Sequence, residues 1–115
     1  MRCTYGERMD LELAPETTAS GGVVLTMAGA LDLESRGRLL SESFQQLSAG
    51  PTRFELDMAG VDFIDSTGIG AIVEVAQRAE ELGIEFAIRR PSPRVVRILK
   101  VTGLSDQWRL TDDVS

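Results

Sequence analysis

The chain has 115 residues, a net charge of −6 and a hydrophobic fraction of 43%. This length fits one domain with one hydrophobic core. The acidic charge disfavours binding to nucleic acid or to an anionic membrane surface. The sequence contains no histidine and one cysteine, which excludes an internal disulfide, a histidine-activated nucleophile and a zinc site built from several cysteines. We therefore expect a domain that is not an enzyme and that binds no cofactor or metal.

The sequence offers no candidate membrane segment. No apolar run approaches the ~20 residues that span a bilayer. Residues 1–8 lack the apolar stretch of a signal peptide and show no hydrophobic periodicity. We therefore expect a cytoplasmic protein without direct membrane insertion, in which residues 1–8 form a loose N-terminal extension.

Two strands and a helix are predicted in the first half of the chain. Apolar and acidic residues alternate over Met9–Leu13, which predicts a half-buried strand, and Val23–Ala28 predicts a second strand paired antiparallel with it. Between them, Ala14–Gly22 is rich in Pro, Thr, Ser and Gly and is predicted to be a turn. Asp32 is the predicted N-cap of the first helix, which ends at Gly50 and Pro51. The buried stripe of this helix is predicted to contain Leu33, Leu40, Phe44 and Leu47.

The second half is predicted to alternate strands with helices. Phe54–Met58 predicts a third strand, Gly60–Asp65 a loop, Ser66–Leu82 a second helix and Ile84–Ile88 a fourth strand. The buried face of the second helix is predicted to contain Ile69, Ile72, Val73, Ala76 and Ala79. On its outer face, the spacing of Glu74 and Arg78 suits an ion pair one helical turn apart.

A third helix and a last strand complete the predicted fold. Ser92 is the expected N-cap, with Pro93 at the first helical position and Gly103 at the end of the helix. Val95, Ile98, Leu99 and Thr102 are predicted to face inward. Trp108 and Leu110 suggest a short fifth strand. The order β-β-α-β-α-β-α-β predicts an α/β fold with a mixed, mostly parallel sheet of four to five strands and about three main helices.

The stretch Phe63–Gly70 is the most informative part of the sequence for function. A strand is predicted to lead through a short loop into the start of a helix, and partners of open α/β sheets meet the carboxyl ends of strands. Gly68 and Gly70 are expected to leave the backbone uncovered, so that a partner can approach closely. Ser66 presents a hydroxyl there that can accept a phosphoryl group. The simpler interpretation is that Asp65, Ser66 and Thr67 only cap the helix.

Three segments resemble the STAS domain of bacterial anti-sigma factor antagonists. The family signature Asp-Ser-Ser/Thr-Gly-Leu/Ile-Gly is similar to residues 65–70, Asp-Ser-Thr-Gly-Ile-Gly. The family's Gly-Glu-Leu/Ile-Asp resembles residues 29–32, although Ala30 replaces the acidic residue. A third motif, Ser-Pro-x-Val-x-Arg followed by Ser/Thr-Gly-Leu, is similar to residues 92–104. The resemblance covers residues 9–110, which are predicted to be a STAS domain, with residues 111–115 as a polar tail.

The resemblance implies a partner-switching mechanism. The unmodified antagonist is expected to bind an anti-sigma factor that is also a serine kinase, so that a sigma factor is freed. The kinase is expected to phosphorylate Ser66, with Thr67 the less favoured acceptor, and a protein serine phosphatase is expected to reset the switch. The expected partner-binding residues are Asp32, Asp65, Ser66, Thr67 and Gly68. Asp32 and Asp65 each keep a second interpretation as plain helix caps, and Ile69 is either an exposed contact or a core residue.

Two other functions fit parts of the sequence. The same resemblance also allows a second function, because STAS domains serve as small cytoplasmic subunits of membrane transport systems that bind an ATPase partner, although Ser66 directly after Asp65 favours an antagonist. A phosphoryl-accepting receiver or small enzyme that uses Asp65 is the third hypothesis. A receiver needs paired acidic residues at the end of its first strand and a lysine at the end of its last, and neither is found at the corresponding positions.

Overall fold

The computed structural model describes residues 10–104 and 108–111. Among these residues five strands form one sheet in the order β1-β2-β3-β4-β5, and three helices connect the parallel strands. The elements are β1 Glu12–Thr17, β2 Val23–Leu31, α1 Arg36–Ser48, β3 Arg53–Ile64, α2 Ser66–Glu81, β4 Glu85–Arg89, α3 Pro93–Thr102 and β5 Arg109–Thr111. β1 pairs antiparallel with β2, and every other neighbouring pair is parallel. The predicted α/β class and element order are therefore confirmed.

The opening hairpin lies further along the chain than its hydrophobic pattern suggests. β1 reaches Thr17, so the predicted turn at Ala14–Gly22 is wrong for its first four residues. The turn itself is closed by the Thr18 amide, which donates to the Gly22 carbonyl at 2.8 Å. Pro15 is tolerated within β1 because this strand lies at an edge of the sheet, where alternate amides point away from the neighbouring strand and are not needed for pairing. Met9 lies outside the described residues.

β3 is more than twice as long as predicted, and it includes all of the predicted loop Gly60–Asp65 except Asp65 itself. Its second half continues to pair with β2 across a register shift between Thr26 and Ala28. Gly60 permits this, because a Cβ atom there would lie 3.0 Å from the Met27 carbonyl oxygen. The extra length carries β3 to the same edge of the sheet as the end of β2.

One face of the sheet packs against the helices and forms the core. Alternate strand residues such as Leu25, Leu56 and Ile88 are fully buried in one cluster with side chains from all three helices. The helical members are Leu39, Leu47, Ile69, Ala71, Ile72, Val75, Ala79, Val95 and Leu99. The intervening strand positions point to the opposite face, where Arg89 lies 3.5 Å from Glu55 and Arg90 binds the buried Asp57.

The helix boundaries confirm most of the capping predictions. α3 begins at Pro93, and its N-cap Ser92 accepts a hydrogen bond from the Val95 amide at 3.3 Å. Gly103 ends α3 with a φ of 81° in the left-handed region. Thr102 was predicted to face inward but is exposed, and its hydroxyl donates to the Ile98 carbonyl at 2.9 Å. The predicted last strand is confirmed as β5.

α1 differs most from its prediction. It begins at Arg36 with Ser35 as the N-cap position, so Asp32 is not the cap. Leu33 therefore precedes the helix and is exposed, rather than part of the buried stripe. The stripe is formed by Leu39, Ser43 and Leu47, with Leu40 and Phe44 half-buried beside it.

Two details of α2 differ from the sequence prediction. Val73 and Ala76 of its predicted buried face are only half-buried, while Val75 is fully buried. Glu74 pairs with Arg36 of α1 at 2.7 Å rather than with Arg78.

The predicted tail 111–115 begins one residue inside β5, because Thr111 is the last residue of that strand. Residues 1–8 and 112–115 lie outside the described residues, so the domain limits stay predictions.

None of the helices within residues 10–104 and 108–111 combines the length and the apolar character needed to cross a bilayer.

Candidate phosphorylation and partner-binding site

The ends of β2 and β3 lie side by side, and an aspartate follows each of them. Leu31 of β2 is paired in register with Ile64 of β3. The Asp65 amide donates to the Leu31 carbonyl at 3.3 Å, which ties the start of the second connection to the end of the first strand. Asp32 and Asp65 are consequently close enough that the charge of Asp32 raises the pKa of Asp65, as one of several opposing effects. The two connections therefore lie next to each other at one edge of the sheet.

Asp65 is the N-cap of α2. Its Oδ1 atom accepts hydrogen bonds from the Gly68 amide at 2.9 Å and from the Thr67 hydroxyl at 2.6 Å. The hydrogen bond from the Thr67 hydroxyl is the largest effect and lowers the pKa of Asp65. Partial burial raises this pKa, and the hydrogen bond from the Gly68 amide lowers it again. Asp65 is therefore ionised at neutral pH, and its negative charge lies at the positive end of the helix dipole.

The two hydroxyl residues of this turn have different environments. Thr67 is half-buried, and its hydroxyl is bound to Asp65. Ser66 is exposed at the first position of α2. A visiting active site can therefore reach Ser66 directly, whereas Thr67 would first have to give up its hydrogen bond to Asp65.

Gly68 is buried, so the expectation that its backbone is uncovered for a partner is wrong. A Cβ atom at Gly68 would lie 2.5 Å from the Leu31 carbonyl oxygen and 2.9 Å from the Leu31 side chain. The glycine allows the first turn of α2 to pack directly against the end of β2. At Gly70, by contrast, an added Cβ would meet nothing within 4 Å. Ile69 is buried in the core, which decides its role in favour of packing.

Asp32 organises a turn between β2 and α1. Its Oδ1 atom accepts hydrogen bonds from the Glu34 amide, the Ser35 amide and the Ser35 hydroxyl, each at 3.1 Å. The single Ser35 hydroxyl proton is shared with the Ala30 carbonyl, which lies closer at 2.8 Å, and the hydroxyl oxygen accepts from the Asp32 amide at 3.0 Å. Both side chains are buried. These bonds fix the backbone from Ala30 to Ser35, one strand away from Ser66.

Leu33 is the residue of this edge that the sequence reasoning missed. Its side chain is 67% exposed, although Asp32 and Ser35 on either side of it are buried. Glu34, in the same connection, and Asp62, near the end of β3, are also exposed. The helical spacing of Leu33 with Leu40 predicted a buried position, and a signal for its exposure exists only in the local Asp32-x-x-Ser35 spacing that favours a turn before the helix.

The described residues therefore bring all five predicted site residues to one edge of the sheet. Ser66 is accessible, Asp65 and Thr67 hold the start of α2, Gly68 seats it, and Asp32 shapes the neighbouring turn. Among residues 10–104 and 108–111, no group of three or more His, Cys, Asp or Glu side chains is arranged to hold a metal ion. The arrangement is suited to a surface that another protein contacts and modifies.

The fold is shared with known proteins. The sequence pattern of the STAS domain matches residues 14–115. The chain therefore belongs to the STAS domain family.

Two curated relatives are similar in sequence. A homologue of the protein TM1081 from Thermotoga neapolitana is 32% identical over 69 residues, which cover 60% of this chain and 61% of that protein. The match thus spans about three fifths of the length of that relative. The anti-sigma-B factor antagonist of Bacillus subtilis (strain 168) is 26% identical over 84 residues, which cover 73% of this chain and 76% of that protein.

Solved structures share the fold at lower sequence identity. The anti-sigma factor antagonist SpoIIAA in its unphosphorylated form has a TM-score of 0.75 at 20% identity and covers 89% of both chains. The phosphorylated form of SpoIIAA from Bacillus has a TM-score of 0.71 at 18% identity, covering 89% of this chain and 92% of that one. A sulfate transporter family protein from Wolinella succinogenes has a TM-score of 0.75 at 22% identity, covering 86% and 83%.

Proposed function

We propose that this protein is an anti-sigma factor antagonist that phosphorylation of Ser66 switches off. In its unmodified form it binds an anti-sigma factor that is also a serine kinase, and the sigma factor is freed. The kinase then transfers a phosphoryl group from ATP to the Ser66 hydroxyl, ADP leaves, and a protein serine phosphatase later removes the group. The chain itself catalyses nothing in this scheme, and its location would be the cytoplasm.

The observation that carries the proposal is the exposure of Ser66 at the start of α2, directly after the capping Asp65. This pair lies within the stretch that resembles the family signature. Support also comes from the curated relative named as an anti-sigma-B factor antagonist and from SpoIIAA, whose structure is known in a phosphorylated form.

Charge explains how one phosphate could release the partner. A phosphoserine carries about −1.5 to −2 charges at neutral pH. The start of α2 can tolerate this anion because free amides and the helix dipole favour negative charge there. A partner surface that fits a neutral hydroxyl, already next to the ionised Asp65 and near Asp32, would meet a new negative charge instead. Such like-charge contacts cost several kcal/mol in an interface.

In this proposal the other site residues have supporting roles. Asp65 orients Ser66 and, with the Thr67 hydroxyl, holds the first turn of α2 in place. Gly68 seats that turn against Leu31 and contributes to the partner-binding surface through its position rather than through direct contact. Asp32 holds the adjacent turn within the same surface. Thr67 is a poorer acceptor because its hydroxyl is already bound to Asp65.

The test is to measure binding of a purified anti-sigma factor with serine kinase activity, encoded near this protein's gene. We expect Ser66→Asp to weaken binding about 100-fold or more, because each ~1.4 kcal/mol is tenfold in affinity. Ser41→Asp is the matched control, since Ser41 is exposed on α1 and gains the same charge away from the site. Equal binding by Ser66→Asp and the wild type would overturn the switch.

Labelling with ATP provides a second, independent measurement. Ser66→Ala should bind the kinase yet accept no label, and mapping of the wild-type protein should place the phosphate on Ser66. Label that persists in Ser66→Ala would move the acceptor to Thr67 or elsewhere. Label that appears without any kinase would favour the receiver hypothesis.

A role as a subunit of a transport system is the alternative. Its support is the likeness to the sulfate transporter family protein, which at 22% identity extends to the fold alone. This alternative predicts tight binding to a transport ATPase and no effect of ATP on that complex. Binding to the anti-sigma kinase that is lost with ATP would exclude it.

A further inference from the structure

We propose that Leu33 is an apolar anchor of the partner-binding surface and that the partner offers an apolar pocket bordered by cationic side chains. The proposal deepens the function proposed above and rests on it. It names a contact residue that the family signature around Ser66 does not contain. The argument begins with the exposure of Leu33 and continues with its rigidity and its surroundings.

Leu33 is unusual among the large apolar residues of this protein. Only Leu33, Leu82 and Val101 are exposed among those that the structure describes, and Leu33 is 67% exposed. Leu82 follows the C-terminal end of α2, and Val101 lies near the C-terminal end of α3. Of these three residues, Leu33 alone belongs to a connection at the carboxyl ends of β2 and β3, where Ser66 is presented.

The backbone that carries Leu33 is held in place. Asp32 accepts bonds from the Glu34 and Ser35 amides, and the Ser35 hydroxyl donates to the Ala30 carbonyl. Both Asp32 and Ser35 are buried, so these bonds are shielded from water. The turn thus presents a leucine to solvent without the freedom to fold it inward. A side chain presented in this way loses little backbone entropy when a partner buries it.

The neighbourhood of Leu33 defines the chemistry of the partner. Glu34 follows it directly and is exposed, and Asp62 of β3 is exposed as well. Asp65 is ionised one strand away, and Asp32 adds a further carboxylate. Leu33 thus has a carboxylate directly before it and another directly after it in the chain, and the nearby Arg36 is paired with Glu74. Such an apolar side chain fits a pocket that is apolar at its centre and cationic at its rim. A nucleic acid or an anionic membrane would be repelled by the same charges.

The location also explains why Leu33 and Ser66 would act together. The Leu31 carbonyl accepts a hydrogen bond from the Asp65 amide. The turn that begins at Asp32 and the helix that begins at Ser66 are therefore fixed relative to each other. A partner that buries Leu33 is therefore held with its surface against Ser66. The leucine would supply affinity, and the serine would supply control.

The experiment compares two leucines in the wild-type background. Leu33→Ala should weaken binding of the anti-sigma kinase about tenfold, since two to three methylene equivalents leave the interface. Leu82→Ala is the matched control, because Leu82 is 49% exposed at the opposite end of α2 and should leave the affinity unchanged. Thermal unfolding of both variants serves to show that neither change has altered the fold.

The outcomes separate this inference from the proposed function. If Ser66→Asp weakens binding and Leu33→Ala does not, the leucine anchor is wrong and the phosphorylation switch stands. If Leu33→Ala and Leu82→Ala weaken binding equally, the effect is not specific to this surface and the anchor is again overturned. If the wild-type chain binds no anti-sigma kinase, the proposed function fails first. A tenfold loss for Leu33→Ala alone supports the anchor.

Discussion

Asp32 and Asp65 occupy equivalent places in two neighbouring strand-to-helix connections, and yet the two connections are built differently. Each aspartate directly follows one residue of the paired positions Leu31 and Ile64. Asp65 caps α2 at once, with the helix beginning at the next residue. Asp32 instead closes a turn, and α1 begins four residues later. The same side chain in the same place thus produces a helix start in one case and a rigid protruding turn in the other.

The residues after each aspartate account for the difference. Thr67 and Gly68 provide a hydroxyl and an amide that Asp65 binds, and Gly68 lets the helix approach Leu31. After Asp32, the hydroxyl comes from Ser35, which also binds the Ala30 carbonyl and thereby keeps the backbone turned. One connection therefore presents a modifiable hydroxyl on a helix, and the other presents an apolar side chain on a turn.

The largest effect on stability should come from Gly68, where the two connections touch. Gly68→Ala places a methyl group 2.5 Å from the Leu31 carbonyl oxygen. This oxygen belongs to the backbone of β2, so relieving the clash requires a displacement of the strand or of α2. We expect a loss of about 2 to 3 kcal/mol in the free energy of unfolding, measured by urea denaturation. Gly70→Ala is the control: it has open space and should gain about 0.5 to 1 kcal/mol from better helix propensity. Equal stability of the two variants would contradict the proposed seating of α2.

The next effect distinguishes the two aspartates. Asp32→Ala should cost about 2 kcal/mol in the free energy of unfolding, because it removes a buried carboxylate that accepts from both the Glu34 amide and the Ser35 amide. Asp65→Ala should cost about 1 kcal/mol, the usual value for an N-cap. Asp62→Ala is the exposed control and should change stability by less than ~0.5 kcal/mol. A larger loss for Asp65 than for Asp32 would reverse the comparison.

The smallest effect concerns the pKa of Asp65. The Thr67 hydroxyl is its largest cause of lowering from the ordinary value of 3.8. A carboxyl whose pKa is lowered by folding stabilises the folded state at pH values above its ordinary pKa. This contribution is lost as the pH falls through the pKa of the folded state. Thr67→Val should therefore raise the pKa of Asp65, as followed by NMR of its carboxyl carbon. It should also reduce the pH dependence of stability in the acid range.

Thr52→Val is the control for that titration, since Thr52 is exposed and its hydroxyl binds the Ser20 carbonyl far from Asp65. An unchanged Asp65 pKa in Thr67→Val would show that the helix dipole and the Gly68 amide suffice without the hydroxyl.

Local sequence signals were enough to predict the parts of the fold that local chemistry decides. Ser92 with Pro93 marked the start of α3, and Asp65 marked the start of α2. The element order followed from the alternation of strand and helix patterns, whereas the expected partner-binding surface that contains both aspartates was implied only by the resemblance to STAS domains. These signals require only a few neighbouring residues, so a single sequence contains them.

The signals that failed depend on contacts between distant segments. The burial of Gly68 arises from the Leu31 carbonyl, which no pattern around Gly68 records. The length of β3 depends on its register shift against β2, which lets Gly60 lie inside a strand. The sequence predicts a buried Leu33 because neighbouring residues alone do not decide whether Asp32 or Ser35 is the N-cap of α1. The bond from Ser35 to Ala30 decides between them only once the turn has formed.

The sheet has one further consequence, for the way in which the chain assembles. Its strands follow one another in space in the same sequence in which they are synthesised, from β1 to β5. Each new strand can therefore join an edge that already exists, and none has to be inserted between two others. A chain emerging from the ribosome can grow its sheet in one direction, so that the surface around Ser66 is complete before the last strand has been made.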